Sequence, residues 1–344
     1  PVITADDDAT FRGLVMSGTH AEEGTSDPVL WRQGFQSWSF SGVTALTELT
    51  LDGSGVPVVG GDGDAVTVKD ETDGTSWWLG LVGKDQGGSF LMGVAGALKT
   101  RFFVAFDKEK AWAVWGHRGD SIAIRAGQTV RLDPLWMGSG ADPVQLHEDY
   151  ADAVSRRVPS PSLGPRPPSG WATWYHFFED VSEDDVRENL RFASALTPDF
   201  EHQRLEIFQI DDGWQRRWGD WYADEGFPSG MADLASDIMD AGFVPGLWLA
   251  PFYVDRNTDT YQENPDWWVR QLDGDEIRFS NLNTGDYAVL DVTHPQAAEW
   301  LRLQITEKIN DGWLYLKLDF LYAGAQVGIR HSDVSGIEAF HIGM

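Results

Sequence analysis

Leu314-Tyr315-Leu316-Lys317-Leu318-Asp319-Phe320 reads as a β-strand with two unlike faces. Leu314, Leu316, Leu318 and Phe320 point one way, toward a covering layer of helices. Tyr315, Lys317 and Asp319 point the other. The segment is too apolar for the surface, and a lone buried charge is expensive. Lys317 and Asp319 therefore need partners or a task. An ion pair at a strand end would satisfy them. So would a reactive carboxylate at the C-terminal mouth of a parallel barrel, where such groups collect.

Upstream of this strand the pattern alternates strand and helix back to about residue 169. Trp171 to His176 is a predicted strand. Ser182 then caps a helix whose apolar stripe is Val186, Leu190 and Ala193. Leu205 to Ile210 is the second strand and runs into Asp211-Asp212-Gly213-Trp214. Ser229 caps a helix with Met231, Leu234 and Ile238 on one face and Gly242 as its stop. Phe243 to Leu249 is the third strand. A long excursion follows, holding Asn264-Pro265-Asp266-Trp267-Trp268 and the apolar piece Tyr287 to Leu290. Thr293 with Gln296 forms a capping box for a helix with the stripe Ala297, Leu301, Ile305 and Ile309, ended by Gly312.

The C-terminal strand ends then carry Trp174, Tyr175 and His176; Asp211 and Asp212; Trp248; and Lys317 with Asp319. Carboxylates accept hydroxyl protons, lysine donates, and an indole face covers C–H groups, which suits a neutral sugar. Each residue alone has a plainer reading. Asp-Asp-Gly is a common turn, and Trp174 fits a core.

From Pro1 to about Ser139 the chain reads as β structure. Strand-like runs cover Ser76 to Gly83, Ser89 to Ala95, Arg101 to Asp107, Ala111 to His117 and Val130 to Met137. Turn signals separate several of them, which argues for an antiparallel sandwich. Trp31-Arg32-Gln33-Gly34-Phe35-Gln36-Ser37-Trp38 is unusually aromatic and polar, and a core cluster is its plain alternative. Asp142 caps a helix over Pro143 to Val158. Pro159, Pro161, Pro165, Pro167 and Pro168 then form a stiff linker. The expected division is residues 1–141, a partial sandwich; 142–168, a connecting helix and linker; and 169–344, the catalytic-type β/α part. The fold class is thus multidomain, β followed by α/β.

The formal net charge of -28 over 344 residues disfavours nucleic acid and anionic membranes as partners. No apolar run is long enough to span a bilayer. Cysteine is absent, which removes disulfides and thiolate metal sites. The 8 histidines form no ligand motif, so neither a metal nor another cofactor is expected. The 17 tryptophans suit cores or sugar-binding walls. A cytoplasmic location is expected, with secretion left open by a chain that starts at Pro1 rather than Met. Homo-oligomerisation is left open.

Four stretches together resemble glycoside hydrolase family thirty-six, the microbial α-galactosidases or melibiases. They are Gly170-Trp171-Ala172-Thr173-Trp174-Tyr175-His176, Phe208-Gln209-Ile210-Asp211-Asp212-Gly213-Trp214, Pro245-Gly246-Leu247-Trp248-Leu249-Ala250-Pro251-Phe252 and Leu316-Lys317-Leu318-Asp319-Phe320-Leu321-Tyr322. Gln36-Ser37-Trp38 extends the resemblance upstream. It implies an N-terminal antiparallel β-sandwich followed by the first half of a (β/α)8 TIM barrel. It implies Asp319 as nucleophile, Lys317 as a donor to galactose hydroxyls, and Asp211 and Asp212 as the grip on axial O4 and O6. Trp174, Trp248 and Trp38 are the implied aromatic walls, with Tyr175 in support. The implied substrate is a galactoside oligosaccharide of the raffinose or melibiose type.

Two departures stand out. Ala172 replaces a cysteine frequent in the family, a packing difference. The family's acid/base aspartate lies in a Gly-Pro-Asp motif near strand six, and the sequence ends at Met344 without one. Glu338, in a helix after strand four, is a poor substitute. The resemblance thus implies a retaining enzyme of which this chain is an incomplete part, inactive alone. A transglycosylase or α-N-acetylgalactosaminidase of the same clan, or a non-catalytic galactose-binding protein, are the alternatives.

Overall fold

The structure is a computed structural model. It describes residues 1–11, 13–19, 28–34, 39–46, 48–49, 51, 74–83, 87–116, 120–159, 167–196, 205–280 and 285–344. Two compact units emerge. The first holds Pro1–Pro161 with Ala325–Gly328 and Asp333–His341; the second holds Ser162–Gly324 with Ile329–Ser332 and Ile342–Met344.

The first unit contains two large antiparallel sheets and two short two-stranded ones. A five-stranded sheet runs in the order Leu135–Gly140, Ser89–Val94, Leu79–Gly83, Val29–Arg32, Gly42–Ala45. A four-stranded sheet runs Leu14–Thr19, Lys110–Trp115, Phe102–Phe106, Thr75–Trp77. Leu30, Val82, Met92 and Val94 of the first share one core with Phe102, Val104, Phe106 and Trp115 of the second. Met92 and Val94, and Phe102, Val104 and Phe106, reach it as alternate side chains of their strands, as a two-layer packing demands. The helix Pro143–Ser155 covers the other side of the five-stranded sheet through Leu146 and Tyr150. Asp142 caps it, as expected, accepting from the Val144 amide at 2.9 Å and the Gln145 amide at 3.4 Å.

Two expected strands are each split. Ser76 to Gly83 breaks at Trp78, whose φ of 70° turns the chain from one sheet into the other. The Trp78 amide bonds Phe102 O and its carbonyl accepts from Val94 N, so one residue ties both sheets. Val130 to Met137 breaks at Leu132-Asp133-Pro134, where proline cannot donate to a ladder.

The second unit is built on four parallel strands in the order Gly170–Ala172, Ile207–Ile210, Val244–Leu249, Tyr315–Leu318. The helices Glu183–Leu196, Met231–Asp240 and Pro295–Asn310 lie on the crossovers, as parallel pairing requires. The sheet is open among the described residues. A hairpin, Gln215–Arg217 with Asp220–Ala223, follows the second strand. A three-stranded antiparallel sheet, Tyr253–Asp255, Asp286–Val289 and Phe279–Ser280, follows the third.

The stripes of the first two helices are buried at Val186, Leu190, Ala193, Met231, Leu234 and Ile238. Several local expectations are corrected. The first strand stops at Ala172; Trp174, Tyr175 and His176 lie instead in a helical turn, Trp174–Phe177. Ser229 is not a cap: its amide and hydroxyl both bond the Glu183 carboxylate. Thr293 is not a cap either, because its hydroxyl donates to the buried Asp291. On the Pro295–Asn310 helix Ile309 is exposed, and Lys308 is buried between the rings of Trp214 and Tyr222. Leu314, expected under a helical layer, is 65% exposed, because its strand lies at the sheet edge. Phe320 leaves the leucine face: at φ 53° its ring joins Trp218 and Trp248.

The helix Gly336–Gly343 carries a capping box. The Ser335 hydroxyl accepts from the Glu338 amide at 3.0 Å, and the Glu338 carboxylate accepts from the Ser335 amide at 3.2 Å. Glu338 is thus committed to the helix start. In the first unit, Asp120 accepts from the Gly336 amide at 2.7 Å and the Arg101 amide at 2.6 Å.

Candidate active site

The parallel register places one row of side chains side by side. Trp248 pairs with Lys317, and Gln209 pairs with Gly246 one row below. Asp211 lies two residues beyond Gln209 and so returns to the same face. Lys317 Nζ accordingly reaches Asp211 Oδ2 at 2.8 Å and lies 3.7 Å from Asp319 Oδ2. The single lysine bridges carboxylates from two different strands. That answers the question posed by its charge: both partners are on hand.

Asp319 stands just beyond its strand. Its Oδ2 accepts from Trp248 Nε1 at 3.1 Å, and its Oδ1 accepts from the Phe320 amide at 2.8 Å. These bonds fix the carboxylate plane, and the group still has 39% of its side chain exposed. Asp211, by contrast, is at 3%. Gln209 Nε2 donates to its Oδ2 at 2.5 Å, and its amide is held by Thr173 Oγ1 at 2.9 Å. Of this pair, Asp319 is the one a small molecule can reach.

Asp212 has a different environment. It is buried, and among the described residues no cation pairs with it. Its donors are Gln215 Nε2 at 2.5 Å and Trp218 Nε1, at 3.1 Å from Oδ1 and 3.3 Å from Oδ2. Burial pushes its carboxyl up to about 7, opposed by these two hydrogen bonds and assisted by the negative charges of Glu179 and Asp211. The turn that holds it depends on Gly213, at φ 117°. A Cβ there would sit 2.6 Å from the Glu179 carbonyl oxygen, too close for any other residue.

An aromatic floor adjoins the carboxylates. Trp218 stacks on Tyr287 with centroids 4.3 Å apart and meets Phe320 at 4.9 Å and Trp248 at 5.3 Å. Burial, with Asp212 and Asp255 nearby, raises the Tyr287 phenol above its ordinary value.

Of the residues singled out from sequence, Asp211, Asp212, Lys317, Asp319 and Trp248 come together. Trp248 is only 1% exposed and meets the site through its N–H rather than as an open wall. Trp174 is half-buried against Phe178, and Tyr175 is 89% exposed. Trp38 lies outside the described residues. Sequence reasoning missed Thr173, Gln209, Gln215, Trp218 and Tyr287. Gln209 was within reach, since period two puts it on the face of Asp211. Trp218 and Tyr287 arrive from a hairpin and an inserted sheet, which no local pattern announces.

Residues 176–340 match the Melibiase family model. The likeness to the Melibiase family lies in this part of the chain. An α-galactosidase of Pediococcus pentosaceus is 29% identical over 173 residues, 48% of this chain and 22% of that protein. The myogenesis-regulating glycosidase of Mus musculus is 33% identical over 135 residues, 38% of this chain and 18% of that protein. The chain therefore spans about a fifth of the length of these curated relatives. Among solved structures, the α-galactosidase TtGalA of Thermus thermophilus, bound to p-nitrophenyl α-D-galactopyranoside, superposes with a TM-score of 0.69 at 25% identity. That match covers 95% of this chain and 62% of TtGalA. AgaA of Geobacillus stearothermophilus shares the fold at a TM-score of 0.61 and 14% identity, covering 100% of this chain and 45% of AgaA. The Melibiase match takes in the whole carboxylate–lysine row and its aromatic floor.

Proposed function

We propose that this Melibiase-like part of the chain binds the terminal galactosyl unit of an α-galactoside of the raffinose or melibiose type, with Asp319 as the nucleophile of a retaining hydrolysis. The observation that carries this reading is the row Asp211, Lys317, Asp319. One carboxylate is buried and ion-paired, one is accessible and oriented, and a single cation lies between them. TtGalA, which covers nearly the whole chain in fold, is known in complex with an aryl α-galactoside and with stachyose, and this lends support.

In the proposed reaction Asp319 attacks the anomeric carbon. The bond to the leaving oxygen breaks, and its electron pair goes to that oxygen together with a proton from a general acid. Water, deprotonated by the same group, then displaces the sugar from Asp319. Asp211 and Asp212 accept hydrogen bonds from the O4 and O6 hydroxyls, and Lys317 donates one. The general acid is assigned to the Gly-Pro-Asp motif of the family, which residues 1–344 do not contain. Full turnover is accordingly expected of a chain that supplies it. The same reading takes residues 1–141 as a β-sandwich, 142–168 as a connector and 169–344 as the start of a (β/α)8 barrel.

Titration calorimetry with methyl α-D-galactoside and methyl α-D-glucoside tests the assignment. The glucoside leaves the buried O4 acceptor unpaired, so it should bind roughly tenfold or more weakly. Equal affinity for the two, or binding of neither, contradicts it.

A further inference from the structure

Asp212 is buried, carries no counter-ion among the described residues, and shares its turn with a second carboxylate, Asp211. Asp211 has Lys317 and Gln209; Asp212 has two neutral donors. Both come from the hairpin that follows the second parallel strand, at three and six residues past Asp212. Gln215 is itself buried, and among the described residues its Oε1 has no partner, so the amide's one tie there is Asp212. A buried amide held by a single hydrogen bond is a cost unless that bond serves something. Trp218 presents one N–H to both oxygens of the carboxylate while its ring packs against Tyr287 and against Phe320, next to Asp319.

We infer that Gln215 and Trp218 are positioning residues. Together they favour the ionised form of Asp212 and turn it so that its remaining lone pairs meet the sugar, and Trp218 ties that orientation to the Asp319 loop. The inference rests on the proposed galactosyl site and adds two side chains outside its motif residues. The physical reason is charge. An indole and a carboxamide donate to a carboxylate without bringing a cation that would compete with Lys317 for the substrate hydroxyls. Both donors favour the ionised form and so work against burial, Glu179 and Asp211, which favour the acid. Tyr287, also near this carboxylate, has its phenol raised by burial and stays protonated.

The test is a titration of the Asp212 side-chain carboxyl by 13C NMR of aspartate-labelled chain, with the signal assigned from Asp212→Asn. Trp218→Phe keeps a ring and removes the N–H. Gln215→Met keeps the volume and removes the amide, and serves should Trp218→Phe not fold. Each should raise the midpoint of Asp212 by roughly 1 pH unit or more. Affinity for methyl α-D-galactoside should fall most on the acid side and recover as pH rises past the new midpoint. A merely structural lesion would lower affinity equally at all pH values. Midpoints unchanged in the folded variants overturn the inference. If the wild type shows no galactoside binding, the function reading fails, while the midpoints still decide whether these residues hold Asp212.

Discussion

Asp212 is a carboxylate buried at the expense of stability. Its carboxyl ionises near 4 in an unfolded chain and at about 7 here. The folded state therefore holds its proton more tightly, and stability drains away as pH rises from about 4 to about 7. Above that window the full cost of the buried, unpaired charge is present. Asp212→Asn removes it and keeps an oxygen for the Trp218 N–H; its new NH2 can meet the vacant Gln215 Oε1. We expect this variant to be more stable than the wild type by about 2–4 kcal/mol at pH ~8, with the gain vanishing toward pH ~4. Urea melts across that range check it, and a variant less stable at pH ~8 would count against the charge assignment. Galactoside affinity should be lost in the same variant. Asp211 differs because Lys317, from a distant strand, supplies the missing charge.

At the scale of elements, the helix starts show what local sequence can and cannot settle. Ser182 forms a capping box: its Oγ accepts from the Asp185 amide at 3.3 Å, and the Asp185 carboxylate accepts from the Ser182 amide at 3.0 Å. Ser182→Ala should destabilise the second unit by about 1 kcal/mol, visible as a Tm lowered by a few degrees in calorimetry. An unchanged Tm would show that the helix start is held by other contacts. The same reasoning fails at Ser229, whose hydroxyl is taken by Glu183, a carboxylate brought by folding, and at Thr293, whose hydroxyl turns to Asp291 two residues earlier. Tertiary competition also explains the overlong first strand. The Thr173 amide still bonds Gln209 O, but the Thr173 carbonyl already starts a helical turn by accepting from the His176 and Phe177 amides. What was legible is what period two and period 3.6 control: the four parallel strands, the buried stripes, and the row that joins Asp211, Lys317 and Asp319. What was not legible is what the hairpin and the inserted sheet deliver, namely Gln215, Trp218 and Tyr287. Phe320 was misplaced for a related reason, since alternation ends where the backbone turns left-handed.

Over the whole molecule, a net charge of -28 surrounds a candidate site that gathers two aspartates, Asp211 and Asp319, around one lysine, with Asp212 beside them. Such a chain repels anionic ligands, and the site fits a neutral one with many hydroxyl protons to give. The chain supplies the grip and the attacking carboxylate of the proposed reaction, which makes the first chemical step separable from the second. An aryl α-galactoside with a good leaving group needs little protonation to depart, whereas release of the sugar from Asp319 needs a base for water. The decisive measurement is therefore mass spectrometry of the intact chain after exposure to an activated aryl α-galactoside, followed by peptide mapping. We expect one hexosyl group, on the peptide holding Asp319, present in Glu338→Gln and absent in Asp319→Asn. A hexosyl group on another side chain, or none on a chain that binds galactoside, would contradict the assignment of Asp319 as nucleophile.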